Sequence, residues 1–256
     1  MHFVASVIVH NEADRYLRPF FDHLLTFVDE VRVLDDGSTD DFKEIGWYDD
    51  ERIVIQRNSS SQFFTHEGRA RNALLRWTME AKPTVVLAID ADEFVYDGQA
   101  LRQAVGEPNP SGVWQLIMEE VWKADETVLE IRQDKGWKEH PVGVVYWVPR
   151  DYASNRHMKR NWTIPDRALA CGRVPHMIGQ NRGLRKDPIT SLLHFGWACE
   201  ADRDARYQRY VQHDGGAFHR NEHLESIMFP DSKVELSRRK WPKGLDKATL
   251  LKRING

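Results

Sequence analysis

Cysteine is nearly missing: Cys171 and Cys199 are the only two in 256 residues. Neither a disulfide framework nor a cysteine-built zinc site can be drawn from them, and a reducing, cytoplasmic setting is expected. No apolar stretch reaches the ~18–20 residues that a membrane-crossing helix needs. The first ten residues, Met1 to His10, lack the basic region and small-residue cleavage site of a signal peptide and read as a first strand. A dominant charge is missing as well. Thirty-six Lys and Arg against 39 Asp and Glu leave a net charge of −3, so no global pull toward nucleic acid or anionic membrane is expected. One local excess, at Lys233, Arg238, Arg239, Lys240, Lys243, Lys247, Lys252 and Arg253, reads as a solvated helical face, with an acceptor-docking surface as the functional alternative. Neither an internal repeat nor a low-complexity segment is found.

What remains is an ordinary globular composition, 41% hydrophobic and 29% charged, long enough for one large domain or one domain with an appendage. Short β-branched-rich runs at Val4–Val9, Val31–Leu34, Ile53–Gln56 and Val85–Ile89 predict strands buried on both faces. Helices are predicted from about Arg18 to Phe27 and across Glu67–Met79. Strands alternating with helices imply an α/β fold with a mostly parallel, Rossmann-like sheet. After about Pro108 the strands look less regular and tryptophans are scattered among them, most of them expected in the core. Helical periodicity returns from Ala201 to Gly256. The predicted organisation is a catalytic domain over 1–200, with a donor-binding half to about 107 and an acceptor half over 108–200, followed by a helical C-terminal extension over 201–256.

In such sheets ligands gather beyond the carboxyl ends of the strands, so the residues after each apolar run carry the chemistry. They are Asn11-Glu12, then Asp35-Asp36-Gly37-Ser38-Thr39-Asp40, then Asp90-Ala91-Asp92-Glu93. An apolar strand that ends abruptly in carboxylates needs a cationic partner. Two carboxylates at i and i+2 can share Mg²⁺ or Mn²⁺, with substrate phosphates completing the shell, and the metal offsets charge on a departing diphosphate. In the second set Gly37 permits a tight turn, while Ser38, Thr39 or Asp40 can cap a short helix. A carboxylate there can also accept hydrogen bonds from a nucleobase or ribose. Arg71 can grip phosphate in bidentate fashion, whereas Arg69, two residues away on the helix, points elsewhere.

Taken in order, Val7-Ile8-Val9-His10-Asn11-Glu12, Asp35 to Asp40, Gly68-Arg69-Ala70-Arg71-Asn72 and Asp90 to Glu93 resemble glycosyltransferase family 2, whose members have the A-type nucleotide-sugar fold. The resemblance covers roughly the first hundred residues. It implies transfer of a sugar from a nucleotide-diphosphate donor, a UDP-sugar first among them, with inversion at the anomeric carbon and Mn²⁺ or Mg²⁺ as cofactor. It also implies that Asn11, Glu12, Asp36, Arg71, Asp90 and Ala91 bind the donor and that Asp90 and Asp92 hold the metal. Similar enzymes have a late His-aromatic-Gly-aromatic stretch, matched by His194-Phe195-Gly196-Trp197, which makes His194 a further metal ligand. Downstream, Arg203, Arg206 and Arg209 recur at i, i+3 and i+6 and can face a diphosphate, although an exposed salt-bridged face is the plainer reading.

The base that takes the acceptor's proton does not follow. Where similar enzymes have a His-Glu pair, this chain has His176-Met177, and a thioether cannot accept that proton. Asp166 and His176 are the candidate catalytic residues, with Glu119 and Glu120 in reserve. The competing readings are a sugar-phosphate nucleotidyltransferase, which would carry a Gly-rich basic loop in place of Asn11-Glu12-Ala13-Asp14, and a binder of nucleotide sugars without turnover. A dehalogenase-type phosphohydrolase is disfavoured by Phe94 and by the three strands that precede the acidic motif.

Overall fold

The computed structural model describes residues 1–40, 50–107, 112–165, 172–175, 189–213, 221–229 and 231–255. Strands β1 (Phe3–Val9), β2 (Glu30–Asp35), β3 (Ile53–Arg57) and β4 (Val85–Ala88) run parallel in the spatial order β4-β1-β2-β3. Every residue of β1 and β4 is buried, because helices cover both faces. Helix α1 (Leu17–Leu24) sends Leu17, Phe20, Phe21 and Leu24 into the core that holds Phe3, Ala5 and Val7. Helix α2 (Phe63–Glu80) packs Ala70 and Leu74 against Ile8 and Leu34 on the other side. A strand covered twice needs an apolar residue at every position, which is why these runs are continuous in the sequence.

The ends of the helices differ slightly from the sequence expectation. Helix α1 stops at Leu24, because the hydroxyl and the amide of Thr26 both donate to the His23 carbonyl and close the chain into a turn before Phe27. Within α2, His66 leaves helical geometry (φ −151°, ψ 70°), so the regular helix starts at Glu67, as its periodicity predicts. A short helix after Asp40 would fall on 41–49, outside the described residues.

In the second half the strands turn antiparallel. Beyond β5 (Glu93–Val95) and α3 (Gly98–Gly106) come β6 (Val113–Ala124), β7 (Val128–Arg132), β8 (His140–Trp147), α4 (Arg156–Asn161) and β9 (Ser191–His194). The sheet then reads β10-β7-β6-β8-β4-β1-β2-β3, where β10 is Leu236–Lys240. The twelve residues of β6 carry register shifts at Trp114/Gln115 and Val121/Lys123. Each shift breaks the period-2 alternation, so this long strand looks irregular in the sequence. Among the described residues the C-terminal stretch supplies α5 (Glu200–His213), α6 (Asn221–Ile227) and α7 (Lys247–Asn255), and adds the edge strand β10, antiparallel to β7. Arg and Lys on an edge strand discourage further pairing, and that composition hid the strand. Leu250, Leu251 and Ile254 of α7 join the main core. Trp114, Trp122, Trp137, Trp162 and Trp197 are buried, as expected of core aromatics.

Strand β9 determines where the site lies. It pairs antiparallel with β5 and parallel with β6, placing His194 opposite Glu93 on one side and Glu120 on the other. None of the helices among the described residues is long and apolar enough to cross a membrane.

Candidate active site

The tips of β1 and β2 are tied together by side chains. Asn11, held at φ +54°, accepts the Thr39 amide at 2.7 Å through Oδ1, and its own amide donates to Ser38 Oγ at 3.0 Å. Gly37 sits at φ +75°, and a Cβ there would lie 2.7 Å from the Ser60–Ser61 backbone. Only glycine suits that turn.

Asp36 is fully buried. Oδ1 accepts from Asn58 Nδ2 at 2.8 Å, and Oδ2 accepts from Ser61 Oγ and from the amides of Gln62 and Phe63 at 2.7–2.8 Å. Asp36 thus ties down the start of α2 across about 26 residues of chain. His10 fixes the same loop, its Nδ1 donating to the Asp36 carbonyl at 3.0 Å.

After β4 the chain turns sharply, and Asp90 and Asp92 point to different partners. Asp90 meets Arg173 at 2.8 Å and Arg71 at 3.4 Å. Burial alone would raise its pKa, but Arg173 and then Arg71 bring it below the usual carboxylate value. Arg71 also pairs with Glu67 at 2.6 Å, while Arg69 is exposed, as expected of these two positions. Ala91 is buried in the turn between the two acids. Asp92 meets the Arg206 guanidinium, His194 Nε2 at 3.6 Å and Arg15 at 3.9 Å. Burial again opposes its charge, yet Arg206, His194 and Arg15 hold the carboxyl well below its ordinary value. Glu93, next along, pairs with Arg173 and accepts the Asp90 amide at 3.0 Å. Glu12 lies close by, 2.6 Å from Arg15, and burial pushes its carboxyl up to about 7 against the pull of that arginine.

His194 is held from its far side. Its Nδ1 lies 2.5 Å from Glu120 Oε2. Burial favours the neutral ring, but Glu120 and then Asp92 raise its pKa well above the usual histidine value. Gly196 leaves the space that His194 needs, since a Cβ there would come within 2.6 Å of Nε2 and run into the Arg206 guanidinium. The reserve pair is split by strand alternation. Glu120 faces the site, whereas Glu119 accepts from Ser191 Oγ at 3.0 Å and pairs with Arg239 of β10. Glu119 therefore faces away from Asp92 and His194.

Of the three arginines on α5, Arg206 reaches the site. Arg203 lies over the Trp122 ring and donates to the Trp122 and Trp197 carbonyls, a packing role. Arg209 has its pKa lowered by burial and by neighbouring Arg206 and Arg15. The plainer reading of these arginines, an exposed salt-bridged face, fails for Arg203 and Arg206 because the helix lies against the strand tips. The candidate bases Asp166 and His176 fall outside the described residues. Sequence reasoning missed Arg15 and Arg173. The i, i+3 spacing of Glu12 and Arg15 was a usable local signal, whereas Arg173 meets Asp90 and Glu93 through contacts about 80 residues apart in the chain.

Asp92 and His194 bring an oxygen and a nitrogen within 3.6 Å of each other; the carboxylate suits Mn²⁺ or Mg²⁺, while the imidazole favours a transition metal such as Mn²⁺ over Mg²⁺. Among the described residues no group of three His, Cys, Asp or Glu side chains converges. The pair fits a metal held by one or two protein ligands and completed by phosphate oxygens and water. Arg206 holds the same Asp92 oxygen that such a cation would share.

The sequence profile described as Glycosyl transferase family 2 matches residues 5–193. Uncharacterized proteins of Mycobacterium tuberculosis and Mycobacterium bovis are each 28% identical over 221 residues, covering 84% of this chain and 51% of theirs. The chain thus spans about half the length of the curated relatives it matches. Among solved structures, Staphylococcus aureus TarS (residues 1–349) superposes with a TM-score of 0.51 at 16% identity, over 89% of this chain and 69% of that one. At that identity the likeness is one of fold.

Proposed function

Because this chain belongs to glycosyl transferase family 2, we propose that it transfers a single sugar from a nucleotide-diphosphate donor to an acceptor hydroxyl, using Mn²⁺ or Mg²⁺ and inverting the anomeric carbon. The observation that carries this reading is the approach of Asp92 Oδ2 to His194 Nε2, 3.6 Å apart at the tips of adjoining strands.

In this proposal Asp92 and His194 hold the cation, with Asp90 beside them. When bound, the cation offsets the negative charge that grows on the leaving diphosphate. Arg71 and Arg206, which pair with Asp90 and Asp92, would turn toward phosphate oxygens when a donor enters. Asn11 and Glu12 line the donor side at the end of β1. Asp36, which holds the start of α2, is proposed to serve the nucleobase through Oδ1, the oxygen bonded to Asn58. The acidic contacts suit uracil and guanine N–H groups alike, so UDP-sugars come first in a panel that also holds GDP- and TDP-sugars. Asp166 and His176 stay as the proposed acceptors of the hydroxyl proton.

The experiment is release of nucleoside diphosphate from that panel, with Mn²⁺, with Mg²⁺ and with chelator. Release that needs metal supports the proposal. Saturable nucleotide-sugar binding with no release under any condition would leave a binder without turnover, and formation of nucleoside triphosphate once pyrophosphate is added would point to a nucleotidyltransferase.

A further inference from the structure

We propose that Glu120 is a positioning residue, fixing the His194 ring so that Nε2 is offered to the cation beside Asp92. This rests on the metal-dependent reading given above.

The parallel pairing of β6 and β9 puts Glu120 directly opposite His194. Opposed residues project to the same face, and their side chains meet at 2.5 Å between Oε2 and Nδ1. An imidazole that binds a metal through Nε2 must keep its hydrogen on Nδ1, so an acceptor at Nδ1 selects the useful form and fixes the ring plane. Glu120 supplies that acceptor. One further contact limits the ring, the edge-on packing of Trp197 at 6.1 Å and 83°, while Gly196 leaves it room, since a Cβ there would lie 2.6 Å from Nε2. Neighbouring Glu119 points to the opposite face, toward Arg239 and Ser191, so the register of β6 alone decides which acid serves the histidine. The shift between Val121 and Lys123 lies just beyond Glu120 and leaves that register intact.

The test uses the full chain and three proteins: wild type, Glu120→Ala and Glu120→Gln. Mn²⁺ affinity is measured by electron paramagnetic resonance in saturating UDP, beside melting temperature without metal and kcat and KM for donor turnover. Glutamine keeps an oxygen that accepts the Nδ1 hydrogen, so Glu120→Gln should bind Mn²⁺ close to wild type, while Glu120→Ala loses about 10–100-fold in affinity. Should the alanine variant not fold, Glu120→Asn, which draws the acceptor back by one methylene, takes its place with the same expectation. Wild-type Mn²⁺ affinity in the alanine or asparagine variant would overturn the proposal. So would collapse of kcat in Glu120→Gln at unchanged Mn²⁺ affinity, which would make Glu120 the proton acceptor. Absence of Mn²⁺ binding by the wild type would instead sink the metal reading itself and this inference with it.

Discussion

A buried carboxylate between two guanidinium groups and an imidazole cannot be removed without consequence. From the sequence, Asp92 is a strand-end acid outside the core, and its replacement should spare the fold. In the structure it is 6% exposed and faces Arg206, His194 and Arg15. Asp92→Ala would leave those charges without their shared partner, and breaking a buried pair from one side costs about 3–5 kcal/mol. The expected outcome is loss of metal-dependent turnover together with a drop in stability of about 3 kcal/mol in urea unfolding. Unchanged stability would mean that solvent reaches this cluster far more freely than its burial implies. Arg206 was visible in the sequence as a member of an i, i+3, i+6 set, but which of the three would face Asp92 was not. Helical spacing gives a shared side, and only the docking of α5 turns one position toward the strand tips.

At the scale of elements, capping decides two junctions. Asp36 accepts four hydrogen bonds, three of them at the start of α2. Asp36→Ala should therefore destabilise the protein by about 2 kcal/mol, the upper range for loss of a cap, even without nucleotide. Loss of UDP affinity at unchanged melting temperature would assign the residue to the base alone.

The second junction is the β6–β7 turn, where Asp125 accepts from the Thr127 hydroxyl, the Thr127 amide and the Val128 amide at 2.7–2.8 Å. These bonds, with the Thr127 side chain first among them, lower its pKa from 3.8 to about 2. A depressed carboxylate stabilises the fold fully above its ordinary value, and the contribution fades as pH falls through the depressed one. The stability gap between wild type and Asp125→Ala should accordingly be constant above pH ~4 and close toward pH ~2. Carbon-detected carboxyl NMR checks the midpoint directly, and a value near 4 would contradict the turn geometry. The Asp-x-Thr pattern of this turn is legible in sequence. The reach of Asp36 to Gln62 and Phe63 is not, since nothing local links a turn to a helix start 26 residues later.

For the whole molecule, the C-terminal stretch is bound into the fold by every class of contact. Strand β10 extends the sheet, Arg239 meets the buried Glu119, Arg253 meets Asp202 at 2.6 Å, and α7 adds Leu250, Leu251 and Ile254 to the core. Asp202 in turn meets Arg15 at 3.3 Å, so the last helix is two ion pairs away from the site. Truncation after Glu235 should give an aggregating or unfolded chain, because it uncovers β7, exposes apolar core and strands a buried acid. A soluble, cooperatively melting truncated protein, judged by size-exclusion chromatography and circular dichroism, would refute that expectation.

By itself the sequence determined the alternating first half, the tips that carry Asn11, Glu12, Asp36, Asp90 and Asp92, and the helix that carries Arg71. Each of these is a local signal: a continuous apolar run makes a doubly covered strand, and acids that end such a run lie at its carboxyl tip. Tertiary structure alone decided the pairing of charges, with Arg173 on Asp90, Arg206 and His194 on Asp92, and Glu120 rather than Glu119 on His194. The choices at His194 and Asp92 depend on the register between β6 and β9 and on the docking of α5. A shift of one residue in that register reverses which side chain faces the site, and the composition of the strand does not reveal it.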